Sequence, residues 1–300
     1  MLEPGTLWER TKAAFERALA SGALRPIGTE STLMPDSGVD FVVRVVSSLS
    51  RKATDRERRD REESVTGERC DPFLPYEPAM FVVDVSRSHV CLLNKFNVID
   101  HHLLIVTREF ESQDRLLTER DFEAMWRCMA EYDGLAFYNG GRVAGASEPH
   151  KHLQMIPLPV ADKGLAVPIE PLLASVEFEG SLGQAPALPF AHRYAETPRH
   201  ASKDPAGAAA ETLRLYRAML EEVGLNRRGE PPDAVQSAPY NLLCTRDWML
   251  LVPRTREFFE GVSINAIGFA GGLLVRNRDQ LEVLRGRGPM AALRETAAPR

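Results

Sequence analysis

Apolar residues return at helical spacing at Leu7, Trp8, Phe15, Ala18 and Leu19, and Gly22 follows as a stop, so the chain is expected to open with a helix lying as a lid on the body. Residues 41–49 (FVVRVVSSL) are β-branched and read as a strand. The run that follows, RKATDRERRDREE at 51–63, mixes both signs of charge with no large apolar residue and reads as a solvated surface segment; Lys52, where it leaves the strand, is held apart as a candidate. The three prolines of 71–78 (DPFLPYEP) exclude a central strand there. Short strands are expected at 80–85, 89–93 and 102–107, separated by turn residues in the manner of an antiparallel sheet. Thr118 with Asp121 marks a helix start, and Phe122, Met125, Trp126 and Met129 form its buried stripe. A low-periodicity stretch runs from 158 to about 193. A helix at 206–223 follows, then strands at 240–244 and 248–252 and a Gly-broken apolar run at 264–275. Strands carrying single helices, without regular βαβ alternation, predict an α+β fold. Its expected organisation is one body of two halves, residues 1–190 and 191–300.

The pattern concentrates at 137–157, FYNGGRVAGASEPHKHLQMIP. Side chains alternate faces along a strand, so His150, His152 and Gln154 are expected on one face and Lys151, Leu153 and Met155 on the other. The preceding loop carries Gly140, Gly141 and Gly145, which allow backbone N–H groups to approach an anion, and Ser147, whose hydroxyl can donate. Neutral imidazole is a nucleophile near pH 7 when its other nitrogen is held as a donor, often by a backbone carbonyl. His152, central in the row, is the stronger candidate nucleophile; Gln154 can hold a phosphate oxygen but cannot act as a general acid. Two alternating histidines also suit zinc ligation or a structural role, although no third ligand or Cys pair lies close in sequence. His101 and His102 read as structural, and His89, His192 and His200 as surface or turn residues.

Composition narrows the field only a little. A net charge of −5 argues against a basic nucleic-acid-binding surface while leaving room for a local basic pocket. Cys70, Cys91, Cys128 and Cys244 form no CxxC pair, and buried free thiols in a reducing compartment are expected. Charged residues interrupt the first twenty positions, and no run reaches the ~20 apolar residues of a membrane span, so a cytoplasmic protein without membrane partner is expected.

GASEPHKHLQ, preceded by FYNGG, resembles the active-site segment of the diadenosine tetraphosphate phosphorylases (ATP adenylyltransferases) of the histidine-triad superfamily. The resemblance extends through DPFLPYEPAMFV, LLNKFNVIDHHLLIVTREFESQ, YNLLCTRDWMLLVPRTRE and SINAIGFAGGLLV, in that order. It implies a histidine-triad-like antiparallel sheet with flanking helices. It also implies phosphorolysis of diadenosine tetraphosphate to ATP and ADP through an adenylyl-histidine on His152, with His150 and Gln154 beside it. Substrate contacts are implied at Lys52, Asn94, Lys95, Asn139, Gly145, Ala146, Ser147 and Glu148, and at Thr245, Arg246, Asp247, Val252 and Arg256 for the second nucleotide. Mg²⁺ or Mn²⁺ would accompany the polyphosphate, with no organic cofactor, and the chain would be a monomer. Exchange of adenosine phosphosulfate with phosphate would need the same intermediate. Four positions depart from the family pattern: Gly140 for a commoner serine, Glu148 for glutamine, Val252 for methionine and Arg256 for lysine. Two competing expectations are a hexose-1-phosphate uridylyltransferase-like enzyme, against which Lys151 and the missing CxxC count, and a catalytically silent nucleotide-binding module.

Overall fold

The computed structural model describes residues 1–46, 71–161, 164–225, 229, 231 and 234–300. Helix α1 (Leu7–Ala20) is followed by the hairpin β1 (Thr29–Asp36) and β2 (Val39–Val46), then β3 (Phe81–Asp84), β4 (His89–Leu93) and β5 (Leu103–Thr107). Helix α2 (Glu119–Met129) leads into β6 (Gly134–Gly140) and β7 (His152–Pro157). Next come α3 (Glu170–Leu173), β8 (Glu177–Glu179), β9 (Leu182–Gln184), β10 (Arg193–Glu196) and the long α4 (Pro205–Glu222). The chain closes with β11 (Tyr240–Cys244), β12 (Trp248–Pro253), the short pair β13 (Phe258–Phe259) and β14 (Val262–Ser263), α5 (Ala266–Phe269), β15 (Gly272–Val275), α6 (Arg278–Arg287) and α7 (Pro289–Thr296).

Ten strands form one antiparallel sheet in the order β3-β4-β5-β7-β6-β11-β12-β10-β9-β8. β6 pairs directly with β11, Asn139 opposite Asn241, so the sheet runs without interruption through both halves of the sequence. Because side chains alternate, each strand feeds two cores. Cys91, Ile105, Leu153, Met155, Tyr138, Leu242 and Leu251 point to the face covered by α1, α2 and α4. Leu135, Phe137, Ile156, Leu243, Leu250 and Val252 point to the other face, where the small sheet β1-β2-β15 and α6–α7 pack. Among the described residues, the cover on that second face stops short of β4, β5 and the start of β7, where Leu92, Leu104 and Val106 pack with Phe73 and its neighbours. The cavity lies there.

The architecture is the expected α+β arrangement of a large antiparallel sheet with flanking helices. Several local expectations change. Helix α1 does pack on the body, with Leu7, Ala14 and Ala18 fully buried in the first core, but Leu19 of its expected stripe is exposed. The hairpin strand β1, TESTLMPD, carries no apolar face in its sequence because it is a half-exposed edge. The apolar run at 264–275 divides into the turn of α5 and the strand β15 at Gly271, whose φ is +97°. His89 and His192 are buried rather than superficial. Cys91, Cys128 and Cys244 are buried free thiols, and Cys70 lies outside the described residues.

Candidate active site

Strands β6 and β7 pair from Gly134 opposite Pro157 up to Phe137 opposite Gln154, and the ladder then stops. Beyond that point the buried Gln113 side chain bridges the two strands: its Oε1 accepts from His152 N at 2.8 Å, and its Nε2 donates to the carbonyls of Asn139 (2.9 Å) and His152 (3.3 Å). A side-chain amide in place of the ladder satisfies the backbone groups while letting the strands part. The gap opens onto a cavity of about 900 Å³. Asn139, His152 and Gln154 line it from the sheet, Asn94, Lys95 and His102 from the β4–β5 edge, and Gly145, Ala146, Ser147 and Glu148 from the glycine loop.

His152 is 3% exposed and stands edge-on to Phe73, with ring centroids 5.3 Å apart. Its Nδ1 lies 2.7 Å from the carbonyl oxygen of His150. A carbonyl only accepts, so Nδ1 carries the hydrogen, and in the neutral ring the lone pair resides on Nε2. This is the arrangement a nucleophilic imidazole requires.

His150 takes a different place from the one expected. The strand begins only at His152, because Lys151 N bonds to Glu111 O at 2.7 Å and His150 sits in an isolated bridge with Ser112, so the alternation does not reach back. The ring of His150 is fully buried behind the cavity wall, with Nδ1 2.7 Å from Asp71 and Nε2 2.9 Å from the Thr107 carbonyl. Its contribution to His152 is its main-chain oxygen, and Asp71, which lines the cavity, ties the Pro-rich crossing to it.

The glycine loop also differs from expectation in its free donors. After Gly141 (φ +85°) a single 3-10 turn, Arg142–Ala144, uses the N–H groups of Gly145 and Ala146, which donate to Arg142 O (2.9 Å) and Gly141 O (3.2 Å). Those two are spent inside the loop. Ser147 retains its N–H and hydroxyl, making no hydrogen bond among the described residues. Gly145 (φ +92°) lies against Asn265, and a Cβ there would fall 2.7 Å from the Asn265 Cβ.

Of the positions expected to touch a second nucleotide, Thr245, Arg246, Asp247, Val252 and Arg256 do not line the cavity. In β11, Tyr240 pairs with Gly140 beside the glycine loop and Cys244 with Ala136 at the opposite end. At about 3.4 Å per residue the following turn is therefore ~17 Å away. Thr245 Oγ1 accepts from the N–H groups of Asp247 and Trp248 and shapes that hairpin, while Arg246 caps the end of α2 through Met129 O (2.8 Å) and Ala130 O (3.1 Å). Val252 is fully buried in the second core, and Arg256 is exposed. Lys52 lies outside the described residues.

Residues that sequence reasoning passed over take their place. The C-terminal half supplies Glu257, Ser263, Asn265, Arg276 and Gln280 to the cavity, and the N-terminal half supplies Arg44 and Arg142. Arg44 had a signal, being the only charge inside the strand FVVRVV. His102, read as structural, bonds through Nε2 to Gln154 Oε1 at 3.0 Å.

A family model described as the Ap4A phosphorylase N-terminal domain matches residues 1–175, and one described as the ATP adenylyltransferase C-terminal domain matches residues 186–299. The Saccharomyces cerevisiae protein named diadenosine 5',5'''-P1,P4-tetraphosphate phosphorylase 2 is 27% identical over 299 residues, covering 90% of this chain and 87% of its own. The crystal structure of yeast Ap4A phosphorylase Apa2 superposes with a TM-score of 0.79 at 24% identity, covering 100% of this chain and 96% of that one. The structure of Apa2 in complex with Ap4A superposes with a TM-score of 0.76 at 23% identity, covering 100% of this chain and 99% of that one.

Proposed function

We propose that this chain, which belongs to the Ap4A phosphorylase family and is an ATP adenylyltransferase by that membership, splits diadenosine tetraphosphate with inorganic phosphate to give ATP and ADP, using His152 as the nucleophile. One observation carries the reading. The ring of His152 stands in the wall of a nucleotide-sized cavity with Nδ1 committed to the His150 carbonyl, which keeps the lone pair on Nε2.

In the first displacement Nε2 bonds to the α-phosphorus. The P–O bond to the bridging oxygen breaks, its electron pair leaves with ATP, and AMP remains on the ring. In the second, a phosphate oxygen bonds to the same phosphorus, the P–N bond breaks, its electrons return to Nε2, and ADP departs. Dividing one hard step into two is what covalent catalysis contributes. Gln154, Asn139 and Ser147 line the cavity, and in this reading their N–H and O–H groups donate to phosphoryl oxygens, where fixed donors stabilise developing charge best. A carboxylate beside a polyphosphate is tolerable when a divalent cation lies between them, so with Glu148 in the wall Mg²⁺ or Mn²⁺ is taken as part of the substrate. Adenosine phosphosulfate would enter through the same adenylyl-histidine.

Trapping tests this. With substrate labelled in its α-phosphate and no inorganic phosphate, label should stay on the protein at His152 and be released as ADP when phosphate is added. His152→Asn should hold no label and lose on the order of 10⁴-fold in activity. Two in-line steps should also return retained configuration at phosphorus. Turnover by the asparagine variant at the parental rate, or inverted product, would exclude the mechanism.

A further inference from the structure

Two of the amides that line the cavity stand on its central strands, Gln154 on β7 and Asn139 on β6, and an amide presents either a donor or an acceptor according to which way it is turned. For both, the choice is made by neighbouring groups. The first chain begins at a backbone group whose role is fixed: Phe96 N donates to Asn94 Oδ1 at 3.3 Å. Asn94 Nδ2 therefore faces His102 Nδ1, 3.2 Å away, and donates to it. With Nδ1 accepting, the neutral His102 ring carries its hydrogen on Nε2, which donates to Gln154 Oε1 at 3.0 Å. Gln154 Nε2 is left turned toward the cavity.

The second chain starts from a charge. Arg254 is 3% exposed, does not line the cavity, and is pinned by Thr296 O (3.0 Å) at the C-terminal end of α7 and by Arg256 O (2.8 Å). A helix C-terminus carries partial negative charge and suits a buried guanidinium. A guanidinium can only donate, so Arg254 Nη1 gives its hydrogen to Asn241 Oδ1 at 2.5 Å. Asn241 Nδ2 then donates to Asn139 Oδ1 at 2.8 Å and to Ala144 O at 2.8 Å. Ala266 N gives Asn139 Oδ1 a second hydrogen at 3.0 Å. The oxygen of Asn139 is thus doubly occupied, and its Nδ2 is turned to the cavity.

We propose that His102 and Arg254 are positioning residues that lock Gln154 and Asn139 with their N–H₂ groups forward, so that this part of the site offers donors only and selects a phosphoryl group rather than a neutral or cationic one. The proposal deepens the phosphorolysis reading and rests on it for its kinetic arm alone. Reorienting either amide would replace attraction by lone-pair repulsion at the same point in space. Arg254 does not line the cavity and acts through Asn241 on Asn139, whereas His102 does line it and acts through Gln154.

Two measurements test it. In the full wild-type chain labelled with ¹⁵N-histidine, His102 should show a protonated Nε2 and a bare Nδ1, assigned by the loss of its signals in His102→Phe. The opposite tautomer overturns the first chain whether or not the protein turns over substrate. In the kinetic arm, loss of one orienting hydrogen bond is worth about tenfold in kcat for His102→Phe or for Arg254→Lys. His102→Phe should cost nothing further in a Gln154→Ala background, nor Arg254→Lys in Asn139→Ala; full additivity would make both residues merely structural and overturn the proposal. Gln154→Glu should be worse than Gln154→Ala, because one carboxylate oxygen takes the hydrogen from His102 and the other faces the phosphate. A glutamate variant more active than the alanine variant would mean that an acceptor belongs there, contrary to the proposal.

Discussion

Lys151 sits between His150 and His152 at the start of β7 and is completely buried, and replacing it with methionine tests how this segment is held. Its Nζ donates to Asp121 Oδ2 (2.8 Å), Leu116 O (3.0 Å) and Glu111 Oε2 (3.2 Å). Asp121 is itself 1% exposed and also accepts from His89 Nε2 at 3.0 Å and from the N–H of Thr118 at 2.7 Å. Burial alone pushes the Asp121 carboxyl up, but the hydrogen bond from His89 and the charge of Lys151 together hold it well below the usual carboxylate range. Methionine keeps the volume and the apolar stem while removing the charge. Glu111 is 40% exposed, and loss of its pair contributes at most about 1 kcal/mol. Leaving Asp121 buried without its cation dominates, at roughly 3–5 kcal/mol. Against a whole-domain stability of about 5–15 kcal/mol this is a large fraction. Urea unfolding at pH 7, followed by circular dichroism, should show the midpoint falling with the slope unchanged. The sign with pH is fixed as well. In the parent, stability from the depressed carboxyl is present above its unfolded value and lost as pH falls through the folded one. In the variant, the penalty of an unpaired carboxylate is relieved when it protonates. The gap between the two proteins therefore narrows toward acid pH. A loss below about 1 kcal/mol at pH 7, or a gap that widens on acidification, would refute the assignment of Lys151 and Asp121 as a mutually dependent buried pair.

His192, fully buried, accepts from Ala185 N at Nε2 (2.8 Å) and donates from Nδ1 to Phe190 O (2.8 Å), and burial lowers its pKa to about 4. The unfolded chain binds this proton first, so stability is complete above about pH 6.5 and roughly 3 kcal/mol is lost as pH falls to about 4; the urea midpoint of His192→Gln should lack that part of the pH dependence. Gly145→Ala forces a Cβ at φ +92° to within 2.7 Å of the Asn265 Cβ, which should cost about 1–3 kcal/mol and raise the KM for substrate by displacing the loop, measured by thermal unfolding and initial rates. Thr212→Val removes the partner of the buried Trp126 Nε1, 2.8 Å away, and the orphaned indole N–H should cost about 1–3 kcal/mol in urea unfolding with kcat unchanged.

Much of this structure was legible in the chain. The strands β4, β5, β11 and β12 and the helices α1, α2 and α4 carry strong periodicity or a capping signal, and each lies within a few residues of where its pattern places it. The glycine loop converges on one cavity with His152 and Gln154, though not with His150. What stayed hidden depends on partners remote in sequence. An alternation of two says where side chains point only while the ladder lasts; it could not show that pairing ends at His152, where Gln113 from another loop takes over. Hairpin strand β1, an exposed edge, shows no apolar face to read. Asn241 lies within an apolar strand pattern and Arg254 just past the end of the next one, and they gain their meaning only when β11 is set beside β6.

The same sheet geometry explains why the site is built on strands rather than on its loop. Along β7, Leu153 and Met155 anchor the first core while His152 and Gln154 face the cavity, so the reactive row is fixed by packing on its reverse side. The polar groups then need fixing only in rotation about their own bonds. A main-chain carbonyl does this for His152, a histidine for Gln154, and an asparagine backed by a buried arginine for Asn139. None of these three supports lies in the glycine loop, whose first two N–H groups after the turn are consumed in holding its own shape. Donors set in advance cost no reorganisation when charge develops on phosphorus, which is the condition under which they lower a barrier most. The division of labour that follows is physical: packing places the row and hydrogen bonds from neighbouring groups aim it.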